Sequence, residues 1–385
     1  MNRVRALARK RTKLVVGLMS GTSADGVDAA LVRVRGHGLE TRLERLGFCT
    51  VPYPPQIREA VLALTTGSVP DLCRMNFLLG EKFAEAALLM LREAGVPPER
   101  VDLVGSHGQT VHHVPRRTGD VASTLQIGEA DVIAERLGAP VVSDFRTRDI
   151  AAGGEGAPLS AYVDFLLFRR PGPPRALLNL GGIANVTLVS EAPEEVFAFD
   201  TGPANMPLDE CVRILSSGKE QFDREGRMAA KGRVDEILLK RLLEHPYLRM
   251  PIPKTTGRET FGREFVLPLL RAKGSSTGAD LLATLTAFVA QSIWRSLEEF
   301  VFPRARPVEI LVSGGGAHNL TLLAHLRRAA GRIPIAPLED AVFSPDSKEA
   351  VIFAVLANET IHGVTNNVPG ATGARWPVVL GKISP

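Results

Sequence analysis

The apolar run Leu14–Met19 stops abruptly at Ser20, Gly21, Thr22, Ser23 and Asp25, and partial alternation resumes over Val27–Val34. That pattern predicts a buried strand, a polar turn and a second strand, a hairpin with an unusually polar tip. From Asp71 to Glu93 the spacing predicts a long N-capped helix stopped by Gly95, Pro97 and Pro98. A short apolar run at Val101–Val104 follows, then a turn containing His and Gly. Next come a strand near Thr124–Ile127, a helix over Glu129–Leu137 and a strand at Pro140–Ser143. Helices alternating with strands predict an α/β lobe.

Pro171, Gly172, Pro173 and Pro174 are the strongest punctuation in the chain and mark a lobe junction. Beyond them the opening order returns: a strand over Ala176–Leu180, a corner at Gly181 and Gly182, a strand over Asn185–Val189, and another over Val196–Phe199 ending at Asp200. No residue-level repeat accompanies this architectural echo. A helix over Ala279–Phe300, a strand at Glu309–Val312 running into Gly314, Gly315 and Gly316, and a helix over Ser347–Ile361 complete the reading.

With 385 residues, the chain is long enough for two or three domains with their own cores. Three cysteines without CxxC spacing argue against a disulfide framework or a zinc ribbon and point to a reducing, cytoplasmic setting. The net charge of +4 is local, because six basic residues lie within the first thirteen positions and the remainder carries 40 basic against 42 acidic residues. The first segment, 1–13, is therefore read as a disordered basic arm, and the body gives no electrostatic case for nucleic acid. No apolar run reaches the length of a membrane span.

The missing motifs narrow the chemistry. There is no GxxxxGK[ST] phosphate loop, no GxGxxG after a strand, no HExxH and no GxSxG. Three other turns could hold phosphate instead. In the first, Gly21, Thr22, Ser23, Ala24, Asp25, Gly26, Val27 and Asp28 offer backbone donors and hydroxyls, with Asp25 and Asp28 placed to hold Mg²⁺ beside a nucleotide. The alternative is a tight turn in which Gly21 and Gly26 supply positive φ. The second turn contains Asn179, Gly181 and Gly182. The third contains Gly314, Gly315, Gly316 and Asn319 and opens a helix whose N-terminus could face the nucleotide. Together they predict ATP held in a cleft between lobes.

A resemblance follows from these corners. The stretches MSGTSADGVD, GSHGQTVHHVP, LQIGEADVIAERLGAPVVSDFRTRDIAAGGEGAPL, LLNLGGIANVT, FDTGPANMPLDECV, FDREGRMAAKG, PKTTGRETFGREF, LVSGGGAHN and NNVPGATGARWPVVLG, over about residues 14 to 381, resemble the anhydro-N-acetylmuramic acid kinase family of the actin, Hsp70 and sugar-kinase superfamily. Glu155 departs from the Gln usual in GGQGAPL, and the basic arm lies outside the resemblance.

The resemblance implies an α/β, two-lobe actin-like ATPase (ribonuclease H-like) fold with an interlobe cleft. The lobes would span 14–160 and 161–363, with 364–385 packing back on the first. It also implies ATP- and Mg²⁺-dependent opening of 1,6-anhydro-N-acetylmuramic acid by water, with phosphorylation of oxygen 6. Because that oxygen is locked in an ether, a carboxylate base must activate water to attack carbon 1. The family places its water-activating Asp in the FDTGPAN motif, which makes Asp200 the candidate base. Asp149 is its rival, and capping of the next helix is the structural alternative for Asp200. His107, Gln109, Thr110, Arg146, Asp149 and Glu349 are the candidate sugar contacts. The expected partner is a small sugar, with no nucleic acid or membrane, and the oligomeric state is left open, a homodimer included. Competing readings are an ATP-driven switch or chaperone-like protein of the same superfamily and a kinase acting on a free hydroxyl. The segments GSHGQT, DFRTRDIAAGG and DTGPAN argue against the switch, which does not need them.

Overall fold

The computed structural model describes residues 2–114, 116, 119–252, 254–272, 277–338 and 347–385. The chain divides into two compact units, residues 1–167 with 339–385, and residues 168–338. The sequence-based boundaries at 160/161 and 363/364 move to 167/168 and 338/339, because most of the helix Ser160–Phe168 and all of the helix Lys348–Ile361 belong to the first unit.

In unit 1, β1 (Thr12–Ser20), β2 (Gly26–Arg35) and β3 (Arg42–Pro52) form an antiparallel meander. β4 (Leu103–Val114) lies parallel to β1, β5 (Ser123–Ile127) is its hairpin partner, and β6 (Val141–Ser143) extends the parallel side. The His- and Gly-containing stretch expected as a turn is therefore strand, bent at Gly108, whose φ is +76°. In unit 2, β7 (Arg175–Leu180), β8 (Ile183–Val189) and β9 (Phe197–Pro203) repeat the meander, and β10 (Ile310–Ser313) and β11 (Ile335–Pro337) extend it in parallel beyond β7. The orders β3-β2-β1-β4-β6 and β9-β8-β7-β10-β11 share one connectivity and one set of strand directions. β12 (Lys382–Ser384) adds an edge to unit 1, antiparallel to β6.

Two glycines explain why the Lys348–Ile361 helix belongs to unit 1. A Cβ on Gly17 of β1 would stand 1.8 Å from the Ala350 carbonyl oxygen, and one on Gly105 of β4 would stand 2.1 Å from that of Phe353. The helix backbone thus rests on the sheet where side chains are missing, and its middle is buried from Ala350 to Ile361. The opposite face of the sheet is covered by the helix Val69–Glu93, which buries Leu79, Phe83, Met90 and Leu91. Unit 2 builds its core around the helix Gly278–Ser296, started by a capping box between Thr277 and Asp280.

The basic arm expected to be disordered is a helix over Asn2–Arg9. Leu7 is buried, Lys10 pairs with Asp102 at 2.7 Å, and Lys13 is 1% exposed in β1. The physical reason is amphipathicity in a segment whose charge alone suggested solvation. Among the described residues, no helix is long and apolar enough to cross a membrane.

Candidate active site

Register in unit 2 sets Ser313, Asn179, Asn185 and Asp200 side by side across β10, β7, β8 and β9. Residues directly opposite one another share a face of the sheet, so this is one polar row at one end of four strands. Ser313 Oγ donates to Asn179 Oδ1 at 3.3 Å. Both glycine corners lie just beyond the row. Gly314 has φ +82°, and a Cβ there would meet Asn179 Oδ1 at 2.7 Å; one on Gly316 would meet Leu180 Cβ at 2.7 Å. The second and third turns are therefore packed against each other. Asn205 ties them to the next helix, its Nδ2 donating to the Leu180 carbonyl at 2.9 Å and its backbone N–H to that of Gly181 at 3.0 Å.

The third turn does not open directly into an α-helix. A single tight turn over Gly315–His318 intervenes, and Asn319 then caps the helix Leu320–Ala330 by accepting the Leu322 N–H at 3.0 Å. That commits the Asn319 side-chain oxygen to the helix. Beside the turn lies a cavity of about 860 Å³, lined by Leu208, Asp209, Phe222, Gly315, Ala317 and His318 among others. Its size and mixed apolar and polar walls suit a nucleoside. Burial pushes the Asp209 carboxyl up to about 7, against the opposing effect of Arg213.

Asp200 lies within β9, and Ala204 occupies the capping position of the helix Asn205–Leu215, so the capping alternative does not hold. The carboxylate Oδ2 accepts the Thr256 N–H at 3.0 Å. The Asp200 N–H donates to the Lys254 carbonyl at 3.1 Å, and the Tyr247 hydroxyl donates to the Asp200 carbonyl at 2.7 Å. The buried Thr256 hydroxyl has no partner among the described residues. No sequence motif singles out residues 247–256 as functional; their one trace is the stretch PKTTGRETFGREF.

In unit 1, the β1–β2 tip is closed by a hydrogen bond from the Ala24 N–H to the Gly21 carbonyl at 3.1 Å. The residue with positive φ is Ala24, at +51°, and not Gly21 or Gly26 as the turn reading expected. Gly26 is needed for another reason: a Cβ there would stand 2.3 Å from the Val51 carbonyl oxygen on β3. Thr22 and Ser23 are exposed, whereas the Val27 side chain is core, so only its backbone could serve a ligand. Gln109, 1% exposed, braces the tip, its Nε2 donating to the Gly21 carbonyl at 3.0 Å while Ser20 Oγ lies 2.7 Å from its Oε1. Asp28 accepts the Thr50 hydroxyl at 2.6 Å, and Asp25 is exposed and paired with Arg58 at 3.1 Å. Among the described residues, no group of three His, Cys, Asp or Glu side chains could hold a metal by itself. Mg²⁺ in nucleotide sites needs only one or two carboxylates beside the phosphates, a demand Asp25 and Asp28 fit.

Farther along β4, buried His107 donates from Nδ1 to the Gly108 carbonyl at 2.9 Å and accepts the Arg146 Nε–H on Nε2 at 2.8 Å. Those partners fix a neutral ring with its proton on Nδ1. Burial, reinforced by the Arg146 charge, holds the His107 pKa well below the ordinary value. Arg146 also donates from Nη1 to the Gly156 carbonyl at 2.6 Å, and burial lowers its own pKa to about 10 against the pull of Glu349 and Asp149. Glu349 keeps solvent contact in the first turn of the Lys348–Ile361 helix. The protein crowded around it raises its pKa, Arg146 opposes that, and Asp28 adds to it. Thr110 accepts a hydrogen bond from Gln126 at 3.3 Å.

Asp149 corrects the expectation. It is wholly buried, with Oδ1 accepting from Asn367 and Thr372, each at 2.7 Å, and Oδ2 accepting the Gly156 N–H at 2.8 Å. Its carboxylate joins the segments around 146, 156 and 367–372, and faces no accessible surface from which to touch sugar or deprotonate water. Glu155 accepts the Arg116 N–H at 2.9 Å, a bond that a neutral amide oxygen could also take.

Two α/β units of one strand order, each with a polar corner at its first hairpin, give the chain a duplicated actin-like (ribonuclease H-like) fold. A profile of the family described as "Anhydro-N-acetylmuramic acid kinase" matches residues 13–385. Curated relatives of that name include one from Caldanaerobacter subterraneus subsp. tengcongensis, 48% identical over 395 residues with all of both chains covered. Another, from Bacillus thuringiensis subsp. konkukian, is 43% identical over 379 residues, covering 96% of this chain and 98% of its own. The chain belongs to the anhydro-N-acetylmuramic acid kinase family, whose members are ATP-dependent phosphotransferases.

Proposed function

We propose that this family member opens 1,6-anhydro-N-acetylmuramic acid with water and transfers the γ-phosphoryl group of ATP to oxygen 6, giving N-acetylmuramic acid 6-phosphate and ADP. Asp200 takes a proton from water, whose oxygen then bonds to carbon 1. The carbon 1–oxygen 6 bond breaks, and the released oxygen 6 accepts the phosphoryl group. The observation that carries this reading is the Ser313–Asn179–Asn185–Asp200 row, which puts a carboxylate held by the Thr256 N–H on the same sheet face as two mutually packed glycine corners. A switch that only hydrolyses ATP needs the corners but has no use for the His107–Arg146 pair.

The cavity beside Gly315 takes the nucleoside, and the corners at 181–182 and 314–316 supply donors to phosphate. Asp28 and Asp25 would hold Mg²⁺ directly or through water; when bound with ATP, it neutralises charge on the transferred group. Arg146 is the partner for the lactyl carboxylate, and Gln109, Thr110 and Glu349 serve the sugar's hydroxyl and amide groups. His107, neutral and gripped on both nitrogens, acts by fixing Arg146.

Incubation with ATP and the anhydro sugar in ¹⁸O-labelled water tests the reading. Label at carbon 1 of a 6-phosphorylated product is expected. Unlabelled 6-phosphosugar, or ADP formed without sugar phosphate, contradicts it.

A further inference from the structure

We propose that Lys254 is a positioning residue for Asp200, its buried ammonium anchoring the segment that grips the base at its N–H, its carbonyl and one carboxylate oxygen. The inference rests on the reading of Asp200 as the base. Lys254 is 1% exposed, and its Nζ donates to the Leu248 carbonyl at 3.1 Å and lies 3.5 Å from that of Tyr247. The same nitrogen sits 4.5 Å from the Phe300 ring centre, 5.1 Å from that of Tyr247 and 5.9 Å from that of Phe199. A buried ammonium is costly unless its donors and charge are satisfied, and here two carbonyls and three ring faces do so.

The anchored segment holds Asp200 at three points. Lys254 accepts its N–H, Tyr247 donates to its carbonyl, and Thr256 donates to its carboxylate. The ammonium ties residues 247–248 to residue 254, so the three contacts cannot drift apart. A base displaced by a fraction of an ångström loses its alignment with the attacking water. The ionisable groups facing Lys254 are Asp200 from β9, Glu299 from the turn after the Gly278–Ser296 helix, and Tyr247 from its own segment. Both carboxylates favour the charged lysine; burial outweighs them and lowers its pKa to about 8. The clamp is therefore charged at neutral pH and weakens as pH rises through that value.

Lys254→Met and Lys254→Arg, compared with the unaltered enzyme and with Asp200→Asn, supply the test. Readouts are kcat and KM against pH, ATP affinity by titration, and thermal unfolding. In Lys254→Met, kcat at neutral pH is expected to fall roughly tenfold or more, with ATP affinity within about twofold and the acid limb of kcat moved to higher pH. Lys254→Arg is expected to recover much of kcat and to lose the alkaline decline near pH 8, because guanidinium stays charged. A folded Lys254→Met with unaltered kcat and pH profile, while Asp200→Asn is inactive, overturns the proposal and leaves the base assignment standing. If Lys254→Met does not fold, an alkaline limb unchanged in Lys254→Arg overturns it. An active Asp200→Asn removes the base assignment itself.

Discussion

Arg146 uses two of its donors on fixed acceptors, Nε on His107 and Nη1 on the Gly156 carbonyl, which leaves the end of the guanidinium for a ligand. Lysine carries one nitrogen and cannot span both acceptors. Arg146→Lys is therefore expected to raise KM for the anhydro sugar about tenfold while KM for ATP stays within about twofold. Steady-state kinetics with each substrate varied checks this, and an unchanged sugar KM contradicts the assignment. The GSHGQT and DFRTRD segments were both legible in the sequence, but their direct pairing was not. Asp149 shows the limit most clearly: residue type marks a carboxylate as chemistry-bearing, and only the fold reveals that Asn367, Thr372 and Gly156 use both its oxygens.

At the scale of elements, most helices were readable. The spacing predicted helices starting at Asp71, Glu129, Ala279 and Ser347, and the structure begins them at Val69, Ala130, Gly278 and Lys348. Periodicity and capping residues are local, so they survive in the sequence. Packing partners are not local, so the sequence alone does not tell which unit receives the Lys348–Ile361 helix. Its true seat is recorded only as missing side chains at Gly17 and Gly105. Gly105→Ala would force its methyl group toward the Phe353 carbonyl oxygen on a rigid helix backbone, a clash expected to destabilise unit 1 by about 3 kcal/mol or more. Urea denaturation of Gly105→Ala measures this, and a loss below about 0.5 kcal/mol would show that the helix can move away.

At the scale of the molecule, the same strand order occurs twice without residue-level repetition. The echo was legible as strand, glycine corner, strand in each half, because turns need particular residues. The parallel extensions were not, because they pair strands far apart in sequence: Ala176 lies beside Ile310, and Val104 beside Val141. Stability also carries a pH signature. Asp209 has a folded pKa near 7, above its unfolded value, so the folded state binds the proton more tightly. Its contribution favours folding at low pH and is lost as pH rises from about 4 to about 7. Asp209→Asn should thus stabilise unit 2 relative to the unaltered protein by about 1 to 3 kcal/mol at pH 8, and by much less at pH 5. Denaturation at the two values checks the sign, and an equal effect at both would contradict it.

The proposed chemistry depends on the Asp200 carboxylate activating water. The most direct measurement is turnover of Asp200→Asn beside its affinity for ATP, since asparagine keeps an oxygen to accept the Thr256 N–H. Turnover is expected to fall at least about 10³-fold with ATP affinity within about twofold. Near-normal turnover in that variant would contradict it.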